Sequence, residues 1–153
     1  MKNRVKFILV MIASVILTAC TTSKSTVSKN VNLSKYEYVS IINNDTYRIP
    51  AELMEYQIQL FDAVEDSRLQ LVGDMRIFEL TPSQKEKLLI VKYGVNVGQE
   101  ETIITVNFID YLTGRPVVSC RGAYSSLGIA GTSRDIKGAI KRVAKQISKT
   151  FPK

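Results

Sequence analysis

The sequence predicts an α+β fold, a two-layer sandwich with two amphipathic helices on one face of a mostly antiparallel sheet. Residues 87–97, 102–110 and 117–124 are rich in β-branched and aromatic side chains, and turn residues separate them. Apolar residues recur at helical spacing in residues 51–64 and 133–149. Because each helix offers one apolar face, packing both helices on one face of the sheet is the economical arrangement.

The folded part is predicted to open with a strand at residues 36–42, which are aromatic and β-branched. A helix follows, with Pro50 in its first turn, where the missing N–H does no harm. We expect this helix to run to about Val64 and to bury an apolar stripe formed by Leu53, Met54, Ile58, Phe61 and Val64.

Short elements are predicted to connect this helix to the main strands. Residues 69–72 form a strand ended by Gly73, residues 75–80 form another, and residues 81–84 form a brief helical turn. The strands at 87–97, 102–110 and 117–124 then make an antiparallel meander. In the middle strand Ile104, Val106 and Phe108 share one face, and Gly114 permits the tight turn that follows it.

The last helix is predicted from residue 132 or 133 to about 149. Ile136, Ile140, Val143 and Ile147 form its apolar stripe. Five basic residues lie outside the stripe, namely Arg134, Lys137, Lys141, Lys145 and Lys149. Phe151 continues the stripe, and Pro152 stops the helix.

The segment from Leu88 to Pro152 resembles a family of small bacterial envelope lipoproteins known only as a domain of unknown function. The shared features are the strand Leu-Leu-Ile-Val-Lys-Tyr, the hairpin Val-Asn-Phe-Ile-Asp-Tyr-Leu-Thr-Gly-Arg-Pro-Val and the closing helix ending Phe-Pro. The order of elements is also similar to small α/β modules at the amino end of some periplasmic propeller proteins. The resemblance implies a fold and an envelope location, and it supplies no catalytic residues.

The amino terminus is typical of an export signal. Three basic residues within residues 1–6 precede an apolar run at residues 7–17, which is too short for a permanent membrane span of roughly 20 residues. The following Leu17-Thr18-Ala19-Cys20 resembles the lipobox of bacterial lipoproteins. We therefore expect residues 1–19 to be a signal peptide. The Cys20 thiol is expected to carry diacylglycerol, with palmitate among its acyl chains.

The mature chain is predicted to hold the lipidated Cys20 with a flexible tether over residues 20–34, and a single domain over residues 35–153. The tether is expected because residues 21–33 are rich in Ser, Thr, Lys and Asn and lack periodicity. Thr21, where a retained lipoprotein would have Asp, resembles the pattern of outer-membrane lipoproteins that face the periplasm.

We predict no nucleic-acid partner, because the mature chain is only mildly basic and its acids are interspersed. The chain carries +7, and the leader supplies +3 of it through Lys2, Arg4 and Lys6, which leaves 7 − 3 = +4 for the mature part. Such a balance is compatible with a position near anionic headgroups. The basic face of the last helix has three interpretations: it contacts anionic lipid, it contacts an acidic partner, or it is a solvated surface.

Few residues are candidates for catalysis or metal binding. We predict no metal, no cofactor and no enzymatic activity. The chain has no His, which excludes imidazole metal sites and every nucleophile–His arrangement. Cys120 is predicted to be a buried small side chain, with a redox or intermolecular role as the alternative. The acid pairs Glu65-Asp66 and Glu100-Glu101 fall at predicted turns, where acids are usually solvated rather than catalytic.

Two further features have a structural and a binding interpretation. The Gly-Ser loop that opens the last helix could bind an anion, but it lacks the P-loop lysine, and Thr132 with Asp135 suits a helix cap. Seven tyrosines could form an exposed patch or pack in the core. The prediction is a noncatalytic, membrane-anchored accessory module with an envelope protein partner. The alternative is a small-ligand or lipid-binding domain with its pocket between sheet and helices.

Overall fold

The computed structural model of the chain describes residues 23–42, 51–98, 101–125 and 132–153. The strands within them are β1 (Lys24–Val27), β2 (Tyr38–Ile41), β3 (Gln70–Leu71), β4 (Leu88–Val97), β5 (Thr102–Asp110) and β6 (Pro116–Tyr124). The α-helices are α1 (Ala51–Glu65), α2 (Pro82–Lys85) and α3 (Thr132–Thr150), and 3₁₀ helices cover Leu33–Lys35 and Asp74–Glu79. The predicted α+β class is confirmed. None of the described helices is long and apolar enough to cross a membrane.

The six strands form one sheet in the order β1-β6-β5-β4-β2-β3. The meander β4-β5-β6 is antiparallel, as predicted, but β2 runs parallel to both of its neighbours, β4 and β3. The sheet is therefore mixed, with three antiparallel and two parallel strand pairings among the described residues. The chain leaves β2, passes through α1 and returns in the same direction as β3, as a crossover connection requires. A connection as long as the one between β2 and β3 allows the second strand to run in either direction. The sequence pattern alone therefore does not determine the direction of β3.

The amino-terminal edge corrects the prediction of a tether over residues 20–34. Lys24–Val27 pair antiparallel with β6, from Lys24 opposite Arg121 to Val27 opposite Val118. The Ser28 N–H extends the ladder by donating to the Val117 carbonyl at 2.8 Å. All four β1 residues are exposed, so the polar composition that indicated a tether is also what an edge strand without a buried face tolerates.

One core joins alternate residues of the sheet to both long helices. In β5 the side chains of Ile104, Val106 and Phe108 are buried, and they pack with the α3 stripe of Ile136, Ile140, Val143 and Ile147. The rings of Phe108 and Phe151 lie 4.9 Å apart between centroids. The predicted α3 stripe and its continuation in Phe151 are confirmed.

The buried face of α1 matches the predicted stripe only at Val64 and, in part, at Phe61, and the Leu53 side chain lies outside the described residues. The buried residues of α1 are Tyr56, Leu60, Ala63 and Val64. Met54 and Ile58, assigned to the buried stripe, are 56% and 61% exposed, while Phe61 is half-buried against the core. The helix carries apolar residues on more than one face, and contact with α3 and the sheet selects the face that includes the large Tyr56 ring.

The segment between β3 and β4 differs from the prediction of a strand at residues 75–80. Asp74–Glu79 form a 3₁₀ helix. Its backbone hydrogen bonds are local, so the segment does not need to pair with a strand. The predicted helical turn is confirmed as α2. Its cap is reciprocal, because the Thr81 side chain accepts from the Gln84 N–H while the Gln84 side chain accepts from the Thr81 N–H.

Candidate interaction surfaces

The residues singled out for chemistry do not assemble into a reactive centre among the described residues. Glu65 and Asp66 are exposed at the end of α1, and the Glu101 carboxylate binds the Arg121 guanidinium at 3.2 Å. Within the described ranges, no group of three or more His, Cys, Asp or Glu side chains could hold a metal ion. Cys20, Glu100, the loop at 126–131 and the Thr132 side chain lie outside what the structure describes.

Cys120 is a buried structural thiol. It faces the core from β6, opposite Val106 in β5, and its Sγ lies 3.9 Å from the Thr150 Oγ1. Burial raises the pKa of the Cys120 thiol to about 11, and the contact with Thr150 offsets this only in part. A thiol with so high a pKa is a poor nucleophile at neutral pH, which confirms the buried interpretation.

Asp110, at the end of β5, holds a dense hydrogen-bond network. Its Oδ2 accepts from the Tyr36 hydroxyl at 2.8 Å and from the Lys35 ammonium at 3.1 Å. Its Oδ1 accepts from the backbone N–H and the hydroxyl of Thr113, both at 2.9 Å. The carboxylate therefore ties the β5–β6 turn to the chain that leads into β2.

The network shifts the pKa values of Asp110 and Tyr36. Burial alone would raise the pKa of Asp110, but the bonds donated by Thr113, Tyr36 and Lys35 outweigh it and lower the pKa to about 2. Burial and the neighbouring carboxylate raise the pKa of the Tyr36 phenol. Both carboxylate oxygens accept hydrogen bonds from within the fold, so the cluster has a structural role. The sequence signal for the contacts with Thr113 was Asp110 followed by Tyr-Leu-Thr-Gly, since Asp often accepts hydrogen bonds from residues two or three ahead in turns.

A depression of ≈ 320 Å³ lies beside β3, at the edge of the sheet farthest from β1. It is lined in part by Tyr38, Gln70, Leu80 and Gln84, together with the ion pair of Arg76 and Glu79 at 2.9 Å. Tyr38 and Gln70 are register partners, whereas the residues that follow them, Val39 and Leu71, pack with the helices in the core. Because strand side chains alternate, the depression opens on the other face of the sheet.

The 3₁₀ helix beside this depression exposes two large apolar side chains. Met75 is 78% exposed and Phe78 is 75% exposed. Residues three apart eclipse one another in a 3₁₀ helix, so Met75 and Phe78 share one face, and Arg76 and Glu79 share another that lines the depression. Sequence reasoning missed this pair because it assigned residues 75–80 to a strand.

The outer edge of β3 adds backbone groups to the same region. The N–H groups of Gln70 and Val72 donate to the carbonyls of Glu37 and Val39, each at 2.8 Å. In a parallel ladder the residue between two such donors turns its own N–H and C=O away. Leu71 therefore presents its backbone to the outside. We call Leu71, Met75, Phe78 and the depression the β3 edge site.

A second surface lies on α3. All five basic residues predicted outside its stripe are exposed: Arg134, Lys137, Lys141, Lys145 and Lys149. Lys137 pairs with Glu55 of α1 at 3.0 Å. Among the described residues, no acid lies within ion-pair distance of the other four. The α3 helix thus presents a row of unneutralised positive charge.

Comparisons with known proteins concern the fold. No protein family and no curated protein matches the chain. A solved PDZ domain protein from Parabacteroides distasonis is similar over 87% of this chain, with a TM-score of 0.54 and 10% identity, and the chain spans about a third (36%) of that protein. The PelC dodecamer from Paraburkholderia phytofirmans is similar over 86% of this chain and 98% of its own, with a TM-score of 0.49 and 16% identity. At these identities the likeness to the PDZ domain protein concerns the fold alone.

Proposed function

We propose that this protein is a noncatalytic envelope lipoprotein, anchored to a membrane through Cys20, that docks a protein partner at the β3 edge site. The observation that carries the docking proposal is the exposure of Met75 and Phe78 beside an open depression. Exposed aromatic and Met side chains are enriched in the cores of protein interfaces. In this proposal both long helices cover one face of a two-layer domain and leave the β3 edge site for the partner.

The anchoring part of the proposal is supported by the leader. Residues 1–19 have the charged and apolar segments of a signal peptide, and Cys20 stands where a lipobox places its lipidated residue. Thr21 favours the outer membrane, with the domain facing the periplasm. The resemblance of residues 88–152 to envelope lipoproteins agrees with this location.

A protein partner suits the β3 edge site because three kinds of contact converge there. Leu71 offers a backbone edge that no described strand pairs with, Phe78 and Met75 offer an apolar anchor, and the depression offers polar groups at its rim. An extended segment laid along β3 would gain backbone hydrogen bonds from the edge and specificity from the depression.

The proposal is tested by crosslinking in intact cells followed by purification and mass spectrometry. The double variant Met75→Ser/Phe78→Ser is compared with native protein and with Met54→Ser/Ile58→Ser, which removes similarly exposed apolar side chains from α1. Truncating an anchor typically costs about 2 kcal/mol or more, so partner recovery should fall about tenfold or more in the first variant only. Equal recovery from both variants would place the partner elsewhere.

A second candidate function is the binding of a small molecule or lipid. We expected its pocket between sheet and helices, but facing residues there, such as Val106 and Val143, are buried in one core. The depression at the β3 edge site favours a ligand at that place instead. Native mass spectrometry of the protein from cells distinguishes the two. A bound small molecule, without a crosslinked partner, would favour this second function.

A further inference from the structure

We propose that one edge of the domain docks onto anionic phospholipid headgroups of the membrane that holds the anchor. We call it the basic edge, and it consists of α3 and the amino-terminal strand region. Its residues are Lys29, Arg134, Lys141, Lys145 and Lys149. The inference rests on the proposed lipidation of Cys20 and adds an orientation for the domain.

The structure brings the start of the described chain next to α3. The Ala123 N–H donates to the Ser23 Oγ at 3.1 Å, and the Ala123 carbonyl accepts from the Arg142 guanidinium at 2.7 Å. Ser23 and Arg142 therefore bind the same residue of β6. The α3 helix also contacts β1 directly.

Chain length then limits how far the lipid can lie from this edge. Cys20 precedes Ser23 by three residues, and three residues span at most about 11 Å when fully extended. This is close to the Debye length of about 8–10 Å at physiological salt. A membrane holding the Cys20 lipid is thus within electrostatic range of charges beside Ser23.

The charges on the two long helices are segregated. Lys141, Lys145 and Lys149 recur every four residues along α3, so they form a row on one side of the helix. The exposed acids of the helical layer belong instead to α1, namely Glu55, Asp62 and Glu65. Asp135 is the acid within α3, and it is half-buried in the first turn. The positive side of the domain is therefore the side to which the anchor is joined.

Docking through the basic edge would place the β3 edge site on the side of the domain away from the membrane. β1 and β3 are opposite edges of a six-stranded sheet, roughly 24 Å apart at the usual strand spacing of about 4.8 Å. With β1 and α3 on the headgroups, Met75 and Phe78 face away from the membrane. Because the lipid already confines the domain, individually weak headgroup contacts suffice to orient it.

The test measures amine labelling of the native protein, extracted from membranes and reconstituted into vesicles. One vesicle type is phosphatidylcholine alone, and the other contains about 30% phosphatidylglycerol as the anionic lipid. Labelling rates are read by mass spectrometry at each lysine. In anionic vesicles we expect labelling about threefold slower at Lys141, Lys145 and Lys149, with no change at exposed Lys92. About 0.5 M NaCl should remove the difference.

A variant with a matched control tests whether the edge docks as a unit. Lys141→Gln/Lys145→Gln/Lys149→Gln should abolish the protection of Lys29 in anionic vesicles. Lys85→Gln/Lys92→Gln/Arg115→Gln, which removes the same charge elsewhere, should leave it intact. Equal labelling in both vesicle types would overturn the inference while the anchor stands. Failure of the native protein to float with either vesicle type would instead reject the anchor.

Discussion

At the scale of single residues, Asp110 contributes to the stability of the fold in a way that depends on pH. Its carboxylate is buried and accepts four hydrogen bonds from Thr113, Tyr36 and Lys35. Since the folded pKa of about 2 lies below the ordinary value of 3.8, the ionised form stabilises the native state. The contribution is fully present above about pH 4 and is lost as the pH falls through about 2.

We expect Asp110→Asn to lower the free energy of unfolding by roughly 2 kcal/mol near neutral pH, which is the free-energy equivalent of the pKa shift. Urea unfolding at several pH values measures it. The difference between native and variant should shrink as the pH falls from about 4 to about 2. Asp74→Asn is the control, because the Asp74 carboxylate is exposed and accepts from the neighbouring Met75 N–H. A pH-independent difference would contradict the electrostatic explanation.

Cys120 should resist thiol reagents in the folded protein. It is fully buried, and its pKa of about 11 leaves little thiolate at neutral pH. Iodoacetamide labelling followed by mass spectrometry should modify Cys120 only when denaturant is present. Rapid labelling of the native protein would instead indicate an accessible, activated thiol.

Sequence predicts single residues well when the signal is local. The prediction that Cys120 is a buried small side chain was correct. The partners that Asp110 finds in Lys35 and Tyr36 lie more than seventy residues earlier in the chain (separations of 75 and 74). No local pattern reports a pairing of that kind, so the network could not be anticipated.

At the scale of elements, prediction succeeded where one apolar stripe was unambiguous. The α3 helix has a single stripe, and its four members are all buried. The α1 helix has apolar residues on several faces, so periodicity favoured Met54 and Ile58 although packing selected Tyr56 and Leu60. The 3₁₀ helix Asp74–Glu79 was missed because its alternating pattern also suits a strand.

The packing of α3 on β6 depends on Gly122. A Cβ at this position would clash with the backbone of Ala139 and Val143. We expect Gly122→Ala to lower the free energy of unfolding by about 1–3 kcal/mol, because the helix must move away from the strand. Urea denaturation provides the measurement. Gly94→Ala in β4, whose Cβ would meet nothing within 4 Å, is the control and should be nearly neutral. Equal effects would show that close approach is not the reason.

At the scale of the whole molecule, composition and element order predicted the α+β class and the antiparallel β4-β5-β6 meander, but not the parallel pairing of β2 or the position of β1. The parallel pairs of β2 arise from crossover connections, and short local signals do not encode strand direction. The pairing of β1 with β6 depends on a free edge created by distant residues. That pairing holds Lys24–Val27 in the sheet and brings Ser23 against β6 beside α3, so the proposed basic edge could not be derived from the sequence alone.

The central claim is that the chain is anchored to a membrane by a lipid on Cys20. The most direct measurement is mass spectrometry of the amino-terminal peptide, taken from native protein in the membrane fraction of intact cells. We expect a chain that begins at Cys20, with a diacylglyceryl group on the thiol and palmitate among its acyl chains. Cys20→Ala should yield no lipidated peptide. A chain that begins at another residue, or that carries an unmodified Cys20 thiol, would contradict the lipid anchor and the orientation derived from it.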